Sequence, residues 1–286
     1  MISVIIACYN GAETLAEQLA ALSQQRWSGA WELLLVDNRS TDRSVALARS
    51  FQRQLPELRI IEANARQGQP YALNCGIAAA RGEALLFCDA DDVVADGWLA
   101  AMASAVATAP LVAGPFDLTR LNPDAVAQGR DNPQPQGVQS YRYPPYLPHA
   151  GSGNLAVQRH LFDTIGGFDE SLPYLFDTDF CWRAQLAGFP ITVAPHAQLH
   201  MRLRPTLRGT LRQARRYGEY NVLLYRRYRD RGMPPLTVST SLRGWWQLLR
   251  RWRWLIDRQQ RWRWLRQLAW RWGRVVGSLR YRVWAL

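Results

Sequence analysis

The sequence predicts an α/β fold, in which a mostly parallel sheet is flanked by helices, followed by an amphipathic helical tail. Three observations support this prediction. Apolar runs of strand length alternate with segments of helical periodicity over residues 1–110, as in parallel sheets buried on both faces. The hydrophobic fraction of 48% in 286 residues suffices for a large core. Residues 243–286 carry apolar side chains at helical spacing with arginines between them.

Four strands and four helices are predicted in the first 110 residues. The strands are 2–8, 31–36, 58–61 and 84–88, and the helices are 12–22, 42–52, 70–80 and 95–107. Helices between strands of this kind favour a parallel sheet. Ligands of such sheets bind beyond the carboxyl ends of the strands. The polar residues that follow each strand are therefore the first place to look for a functional site.

All four predicted strands are followed by polar side chains. The segments are Tyr9 to Gly11, Asp37 to Asp42, Asn64 to Gly68 and Asp89 to Asp92. Asp89 and Asp91 are separated by one residue, and a carboxylate pair at a strand end can share one hard divalent cation that holds a diphosphate. A solvated, Asp-rich turn is the alternative for this short pattern alone.

Several function classes are disfavoured by the sequence. No Gly-x-Gly-x-x-Gly follows the first strand, and the chain contains no Lys, so neither a dinucleotide fingerprint nor a P-loop is present. The four cysteines are scattered, which predicts free thiols in a reducing compartment and no zinc site. Neither a signal peptide nor an apolar run of about 18 residues, as a membrane span requires, is recognised.

The second half of the predicted α/β body, residues 117–200, contains a long loop and a return to regular structure. Residues 117–150 are rich in Pro, Gln and Tyr, and such a loop is either a binding lid or a surface insertion. A helix is predicted from about Phe176, with Asp177 in its first turn, where the helix dipole favours a carboxylate. Asp179 and Arg183 are four residues apart and are predicted to pair along that helix.

Charge is distributed unevenly. Residues 1–200 contain 13 Arg and 20 acidic residues, whereas residues 201–286 contain 22 Arg and 3 acidic residues. Nine of the 13 Trp lie in residues 243–286. Trp and Arg on an amphipathic helix favour a membrane surface. The alternatives are packing of the tail on the α/β body or on another subunit, as in a homo-oligomer, and binding of nucleic acid. Nucleic acid is the least favoured of them.

The order of these motifs resembles family 2 glycosyltransferases of the GT-A fold. The resemblance covers about residues 1–220 and rests on Val4 to Asn10, Val36 to Asp42, Asn64 to Gly76, Arg81 to Glu83, Asp89 to Asp92, Gly166 to Glu170, and Asp177 to Arg183. It implies transfer of a sugar, with inversion, from a UDP-, GDP- or dTDP-sugar to the hydroxyl of a saccharide or lipid-linked acceptor. Mg²⁺ or Mn²⁺ is the implied cofactor, and synthesis of a surface polysaccharide or glycolipid is the implied role.

The resemblance also implies roles for individual residues. Asp177 is the implied catalytic base, Gly153 and Asn154 lie on the acceptor side, and His200 joins Asp89 and Asp91 as a third metal ligand unless its role is structural. The implied nucleotide-sugar site consists of Ala7, Tyr9, Asn10, Asp37, Arg66, Asp89, Ala90 and Asp91.

Two departures from the family pattern affect these expectations. Phe176 replaces the Glu that commonly precedes the base, so the surroundings of Asp177 become more apolar, which raises a carboxyl pKa. Residues 213–217 resemble a Gln-x-x-Arg-Trp motif of processive synthases, but Tyr217 replaces the Trp, so polymer synthesis is not inferred. A sugar-phosphate nucleotidyltransferase and a non-catalytic binding module are the alternative functions.

The predicted organisation has three parts. Residues 1–115 form the nucleotide-sugar half, residues 116–232 the acceptor half, and residues 233–286 the helical tail. The predicted location is cytoplasmic, on the inner face of the cytoplasmic membrane.

Overall fold

The computed structural model of the chain describes residues 1–55, 57–123, 130–141 and 145–285. It contains two compact units, which are considered separately below. The first comprises Met1–Arg120, Asn132–Gln139 and Pro148–Arg202, and the second comprises Leu121–Asp131, Ser140–Leu147 and Leu203–Leu286. The boundaries of the predicted three parts remain predictions.

A seven-stranded sheet forms the centre of the first unit. Its strands are β1 (Ile2–Cys8), β2 (Trp31–Asp37), β3 (Leu58–Glu62), β4 (Ala84–Cys88), β6 (Leu111–Ala113), β8 (Asn154–Gln158) and β9 (Thr192–Val193). Their order is β3-β2-β1-β4-β8-β6-β9. A three-stranded sheet of β5 (Val93–Val94), β10 (Leu199–His200) and β7 (Phe116–Asp117), in that order, completes the strands.

Strand β8 is the antiparallel member of the large sheet. Strands β1 to β4 are paired in parallel, and so are β6 and β9. β8 runs antiparallel to both β4 and β6, and its first residue, Asn154, is in register with Cys88 at the end of β4. The residues before β8 therefore lie at the same sheet edge as the residues after β4.

Six helices belong to the first unit. They are α1 (Leu15–Ser23), α2 (Ser44–Ser50), α3 (Gln69–Ala79), α4 (Trp98–Val106), α5 (Arg159–Ile165) and α6 (Phe176–Leu186). The predicted strands and helices of residues 1–110 are confirmed to within a few residues at each end. The side chains of the consecutive residues Val4, Ile5 and Ile6 are completely buried, because helices cover both faces of the sheet.

The second unit is helical. The helices of its described residues are α7 (Leu207–Tyr228), α8 (Val238–Arg250) and α9 (Arg258–Tyr281), with 3-10 turns at Arg229–Arg231 and Trp252–Leu255. Each α-helix begins after a residue whose side chain accepts a hydrogen bond from a backbone N–H of the first turn. These capping residues are Thr206, Thr237 and Asp257. No helix of the described residues is both long enough and apolar enough to cross a membrane.

Helices α7 and α9 pack with their backbones in close contact. A Cβ atom at Gly218 would lie 2.0 Å from the carbonyl oxygen of Trp270, and one at Gly273 would lie 1.9 Å from that of Arg215. Only glycine fits at such positions. The buried carboxylate of Glu219 on α7 accepts a hydrogen bond of 2.7 Å from Arg280 on α9, so charge pairing reinforces the packing.

Part of the tail packs within the helical unit, and binding of the tail to a membrane stays a prediction. Helix α9 packs on α7, as the packing alternative expected. Helix α8 instead leaves an apolar stripe more than half exposed, formed by Val238, Leu242, Trp246 and Leu249.

Candidate active site

Three carboxylates form a cluster directly after β4. Oxygens of Asp89, Asp91 and Asp92 lie within 4.8 Å of one another. Asp92 is only 3% exposed, and the other two are half-buried. Oxygen ligands of this charge and number suit Mg²⁺ or Mn²⁺. The donor set therefore fits the divalent cation expected at Asp89 and Asp91, and it adds Asp92, which was not predicted as a ligand.

The cluster concentrates negative charge in a partly buried place. Burial, together with the neighbouring charges of Asp89 and Asp91, raises the pKa of Asp92 well above its ordinary range. The backbone N–H of Arg202 donates a hydrogen bond of 2.7 Å to Asp92 Oδ1, and Arg202 Nε donates one of 3.0 Å to the carbonyl oxygen of Asp91. A bound cation would offset the remaining repulsion among the carboxylates.

Asp177 lies in the first turn of α6, as predicted. Its Oδ1 accepts a hydrogen bond of 2.8 Å from the backbone N–H of Thr178, and its Oδ2 accepts one of 3.2 Å from the N–H of Ser152. Burial raises the pKa of the Asp177 carboxyl, which is the direction expected from the neighbouring Phe176. A carboxylate with a raised pKa is a stronger base.

The segment before β8 connects Asp177 with the carboxylate cluster. Ser152 donates its N–H to Asp177, and the next residue, Gly153, packs against Asp89. A Cβ atom at position 153 would lie 2.7 Å from Asp89 Oδ2 and 3.6 Å from Asp92 Oδ2. Two carboxylate sites that are distant in sequence are thus joined by two consecutive residues.

Asn154 has a structural role in this conformation. Its side chain is completely buried and accepts a hydrogen bond of 2.8 Å from Trp98 Nε1. Its Nδ2 donates to the carbonyl oxygens of Pro115 and Ala197, both at 2.9 Å. The acceptor-side role of Gly153 and Asn154 stays a prediction.

The ends of β1 and β2 form the next part of the sheet edge. Tyr9 is 53% exposed. Asn10 has a left-handed backbone, with φ of 51°, and its Oδ1 accepts a hydrogen bond of 2.8 Å from the N–H of Thr41. Asp37 is nearly buried, and its Oδ1 accepts from Ser40 N–H at 3.3 Å. The structure thus brings the predicted Tyr9, Asn10 and Asp37 to one place.

The carboxyl end of β1 and the turn after β4 contain the two predicted alanines. Ala7 pairs with Val36 near the end of β1. Ala90 follows Asp89, and its carbonyl oxygen accepts a hydrogen bond of 3.3 Å from Thr14 Oγ1. Gln18 was not predicted, but its Nε2 donates to the carbonyl oxygen of Asp89 at 3.1 Å and helps to fix this turn.

Arg66 lies in a loop that is fixed by Asn38. The Nδ2 atom of Asn38 donates to the carbonyl oxygen of Arg66 at 2.8 Å, and the N–H of Gly68 donates to Asn38 Oδ1 at 2.7 Å. The guanidinium of Arg66 pairs with Glu170 and lies 4.9 Å from the ring centre of Tyr71. This arrangement fixes Arg66 to the Gly166–Glu170 motif.

Asn74 joins the same two motifs from the other side. Its Nδ2 donates to the carbonyl oxygen of Phe168 at 2.9 Å and to Glu170 Oε1 at 2.7 Å, and its Oδ1 accepts from Phe168 N–H at 3.0 Å.

The Asp179–Arg183 pair has the predicted structural role. The two side chains are 2.8 Å apart, and Arg183 also donates to the carbonyl oxygen of Gly167 at 2.8 Å.

His200 is held by a carboxylate at the end of β7. Its Nδ1 lies 2.7 Å from Asp117 Oδ2. Burial acts to raise the pKa of Asp117, but hydrogen bonds from Thr119, His200 and Arg120 lower it to about 2. Histidine ligands of metals are commonly oriented by such a carboxylate. The role of His200 as a third ligand stays a prediction, and the carboxylate cluster of the described residues does not include it.

Comparison with known proteins identifies the family. The family model described as glycosyl transferase family 2 matches residues 3–166. The chain belongs to glycosyl transferase family 2. Glycosyltransferase AglE of Haloferax volcanii is 31% identical to this family 2 chain over 199 residues, which are 68% of the chain and 64% of AglE. The chain thus spans less than two thirds of the length of that relative.

Solved structures of low sequence identity share the fold. Mannosyltransferase PcManGT from Pyrobaculum calidifontis, in complex with GDP-Man and Mn²⁺, matches with a TM-score of 0.67 at 18% identity, over 96% of this chain and 86% of PcManGT. S. aureus TarS 1-349, in complex with UDP-GlcNAc, matches with a TM-score of 0.58 at 17% identity, over 100% of this chain and 93% of TarS. The family 2 chain therefore has the GT-A fold, as its sequence predicted.

Proposed function

We propose that this protein transfers a sugar from a nucleoside diphosphate sugar to an acceptor hydroxyl, with inversion at the anomeric carbon and with a divalent cation. The observation that carries the proposal is the Ser152–Gly153 pair, which holds Asp177 on one side and contacts Asp89 on the other. A direct displacement needs a base for the acceptor and a site for the departing diphosphate on opposite sides of one sugar. These carboxylates are suited to those two tasks.

Asp177 is the proposed general base. As the acceptor oxygen forms its bond to the anomeric carbon, the bond from that carbon to the diphosphate breaks, and the hydroxyl proton passes to a carboxylate oxygen of Asp177. The N–H groups of Ser152 and Thr178 orient the carboxylate. Because burial raises its pKa, the carboxylate holds the proton more firmly than an exposed Asp would.

Asp89, Asp91 and Asp92 are the proposed ligands of Mg²⁺ or Mn²⁺, with His200 as a further one. The bound cation would neutralise the charge of the departing nucleoside diphosphate. Gln69 Nε2 donates a hydrogen bond of 2.9 Å to Asp89 Oδ1 and orients that carboxylate. Asp92 is the most buried of the three, so it is held most rigidly.

The proposed donor is a UDP-, GDP- or dTDP-sugar, held by Ala7, Tyr9, Asn10, Asp37 and Arg66 beside the carboxylate cluster. Two of the solved structures similar in fold are complexes with UDP-GlcNAc and with GDP-Man and Mn²⁺. A panel of these sugar nucleotides, each with and without Mn²⁺, identifies the donor by thermal shift. A ligand that binds the folded state raises the melting temperature by mass action.

Three variants test the assignments with the same panel. Asp91→Asn should lose the Mn²⁺-dependent shift. Asp177→Asn should keep it but transfer sugar about 10²–10⁴ times more slowly, as expected for loss of a general base. Asp96→Asn, at an exposed carboxylate nearby, is the matched control and should behave as the parent protein. A folded parent protein that binds none of the nucleotides would contradict the proposal and favour a non-catalytic binding module.

We also propose that the protein acts on the cytoplasmic membrane face, on a saccharide or lipid-linked acceptor for a surface polysaccharide or glycolipid. The apolar stripe of α8 supports this, since Leu242 and Trp246 are more than half exposed and the guanidinium of Arg250 lies 4.5 Å from the Trp246 ring centre. Aromatic rings beside cationic groups suit an anionic lipid surface. Trp246→Glu should release the protein from vesicles of anionic phospholipid in a co-sedimentation assay, and unchanged binding would contradict this proposal.

A further inference from the structure

Two cavities lie in the helical unit, beside α9. The first has a volume of about 300 Å³ and is lined by residues of α7 and α9 together with Arg130. The second has a volume of about 420 Å³ and is lined by residues of α8 and α9 together with Arg251. Gln267, Trp270 and Arg271 line both cavities. The two cavities are therefore neighbours that share one wall.

The residues that line these cavities carry positive charge and no negative charge. Arg130 and Arg266 belong to the first cavity, Arg243, Arg251 and Arg274 belong to the second, and Arg271 belongs to both. Neither lining contains an Asp or a Glu. Lining groups of one sign attract an oppositely charged ligand.

Two of these arginines have hydrogen-bond donors without a protein acceptor. Arg266 Nε and Arg271 Nε are buried and make no hydrogen bond within the described part of the chain. Buried donors of a charged group are costly when they stay unpaired. Arg130 Nη1 reaches Gln213 Oε1 at a long distance of 3.4 Å. An acceptor from outside the protein would satisfy these donors.

Burial and the repulsion between neighbouring positive charges lower the pKa values of these arginines. Burial lowers the pKa of Arg130, and the charge of Arg266 lowers it further. Burial likewise lowers the pKa of Arg271, with a further contribution from Arg251. Arginine remains protonated in proteins, so the positive charges persist at the cost of stability.

Among the described residues, the carboxylate of Asp131 lies near these arginines, but it is at the surface. Asp131 has an 81% exposed side chain, and its Oδ1 lies 3.5 Å from Arg263 Nη2. It acts to raise the pKa of Arg266, against the larger effect of burial. The exposed carboxylate of Asp131 alone does not balance the six arginines of the two linings.

We propose that the arginines lining these two cavities bind a phosphoryl group. Guanidinium groups bind phosphate oxygens through pairs of parallel hydrogen bonds. The hydroxyl of Thr210 and the carboxamide of Gln267 add neutral donors to the lining. A phosphoryl group offers three acceptor oxygens to these guanidinium groups, whereas a carboxylate offers two. The two linings share no residue with the carboxylate cluster, and this proposal is independent of the proposed function.

The test is calorimetric titration of the full chain with inorganic pyrophosphate, in the presence of EDTA. Because EDTA removes divalent cations, binding at the carboxylate cluster does not contribute. The parent protein should bind pyrophosphate, and Arg266→Gln and Arg271→Gln should each weaken the affinity about tenfold, as loss of a charged hydrogen bond does. Arg226→Gln, at an exposed position of α7, is the matched control and should leave the affinity unchanged.

Thermal unfolding separates ligand binding from a structural role. Without an anion, Arg266→Gln should keep or raise the melting temperature, since it removes one of several repelling charges. With pyrophosphate, the parent protein should gain a larger thermal shift than the variant. Arg266→Lys, which keeps the charge but has fewer donors, provides a second variant if the first one does not fold. If Arg266→Gln and Arg266→Lys both fold, melt at a lower temperature than the parent protein and bind pyrophosphate with unchanged affinity, the proposal is overturned.

Vesicles distinguish a lipid phosphate from a free anion. Phosphatidylcholine vesicles with and without phosphatidic acid are compared for binding of the parent protein, Arg271→Gln and Arg226→Gln. If binding requires phosphatidic acid and only Arg271→Gln loses it, the phosphoryl group belongs to a lipid. If the parent protein binds pyrophosphate but shows no such loss of vesicle binding, the ligand is a free anion. A parent protein that does not bind pyrophosphate, and whose vesicle binding is unchanged in Arg271→Gln, would refute the site. Mn²⁺-dependent binding of sugar nucleotides would then still stand, because it depends on Asp91 and not on these arginines.

Discussion

Substitution of Gly153 tests the geometry that links Asp177 to the carboxylate cluster. In Gly153→Ala, the new Cβ atom would lie 2.7 Å from Asp89 Oδ2, whereas ordinary van der Waals contact begins at 3.4 Å. The Asp89 carboxylate must therefore move by about 0.7 Å, or the backbone must move instead. Mg²⁺ and Mn²⁺ sites tolerate little displacement of an oxygen ligand. We expect Mn²⁺ affinity to fall about 10–100-fold, which is the usual effect of disturbing the surroundings of a ligand.

The assay is titration of transferase activity with Mn²⁺ at saturating donor, together with the melting temperature of the metal-free protein. Gly151→Ala is the matched control, because its Cβ atom would meet Phe116 at 3.5 Å, an ordinary contact. The control should keep the Mn²⁺ affinity of the parent protein. If Gly153→Ala also keeps it, with the fold intact, the close approach of Gly153 to Asp89 does not govern the metal site, and the reasoning is refuted.

Three further predictions concern pH and packing. Burial keeps the pKa of Asp177 above the ordinary 3.8, so the folded state binds a proton more readily, and stability falls as pH rises above 3.8. Asp177→Asn should remove that fall, as measured by urea unfolding at several pH values, and parallel pH profiles would contradict it. Asn74→Ala loses three hydrogen bonds and should lower the free energy of unfolding by about 2–4 kcal/mol, while Asn64→Ala, at an exposed site, should change it by less than about 0.5 kcal/mol. Gly218→Ala would place a Cβ atom 2.0 Å from the Trp270 carbonyl oxygen; a thermal unfolding scan should show a loss of about 3 kcal/mol or more, and an unchanged midpoint would argue against the close helix contact.

The fold of the first 110 residues was predictable because each element has its own pattern. β1, β2 and β4 are apolar runs of five to seven residues, and a buried parallel strand has that appearance. The strands β5, β7, β9 and β10 have two residues each. A segment of two residues is too short to show an alternation of apolar and polar side chains. Only the hydrogen bonds to a neighbouring strand identify such a segment as a strand.

The candidate site was predictable where its chemistry follows a strand end or a helix start. Asp89 and Asp91 were identified in this way, whereas the role of Asp177 at the start of a helix was implied by the family resemblance. The partners of these carboxylates were missed, because Arg202 reaches Asp92, and Gln69 reaches Asp89, from distant parts of the sequence. No local pattern marks such partners. Likewise, no local pattern shows that β8 runs antiparallel to β4 and brings Gly153 to the cluster.

The tail was only partly predictable for the same reason. The prediction of helices from the periodicity of the tail was correct. The apolar residues did not indicate which helix they pack against. Gly218 and Gly273 fit against backbone atoms of the facing helix, and a glycine in a helix is informative only once that helix is known. The arginine-lined cavities likewise depend on three helices that meet in space.

The position of β8 has a consequence for synthesis of the protein on the ribosome. β8 is the last of the central strands to be made, yet it lies between β4 and β6 in the sheet. Translation adds about 5–20 residues per second, so the segment from residue 88 to residue 154 takes several seconds. During that time the backbone N–H and C=O groups of β4 that later pair with β8 can form hydrogen bonds with the wrong strand. Chaperone binding to the nascent chain should therefore be strongest before residue 158 has left the exit tunnel.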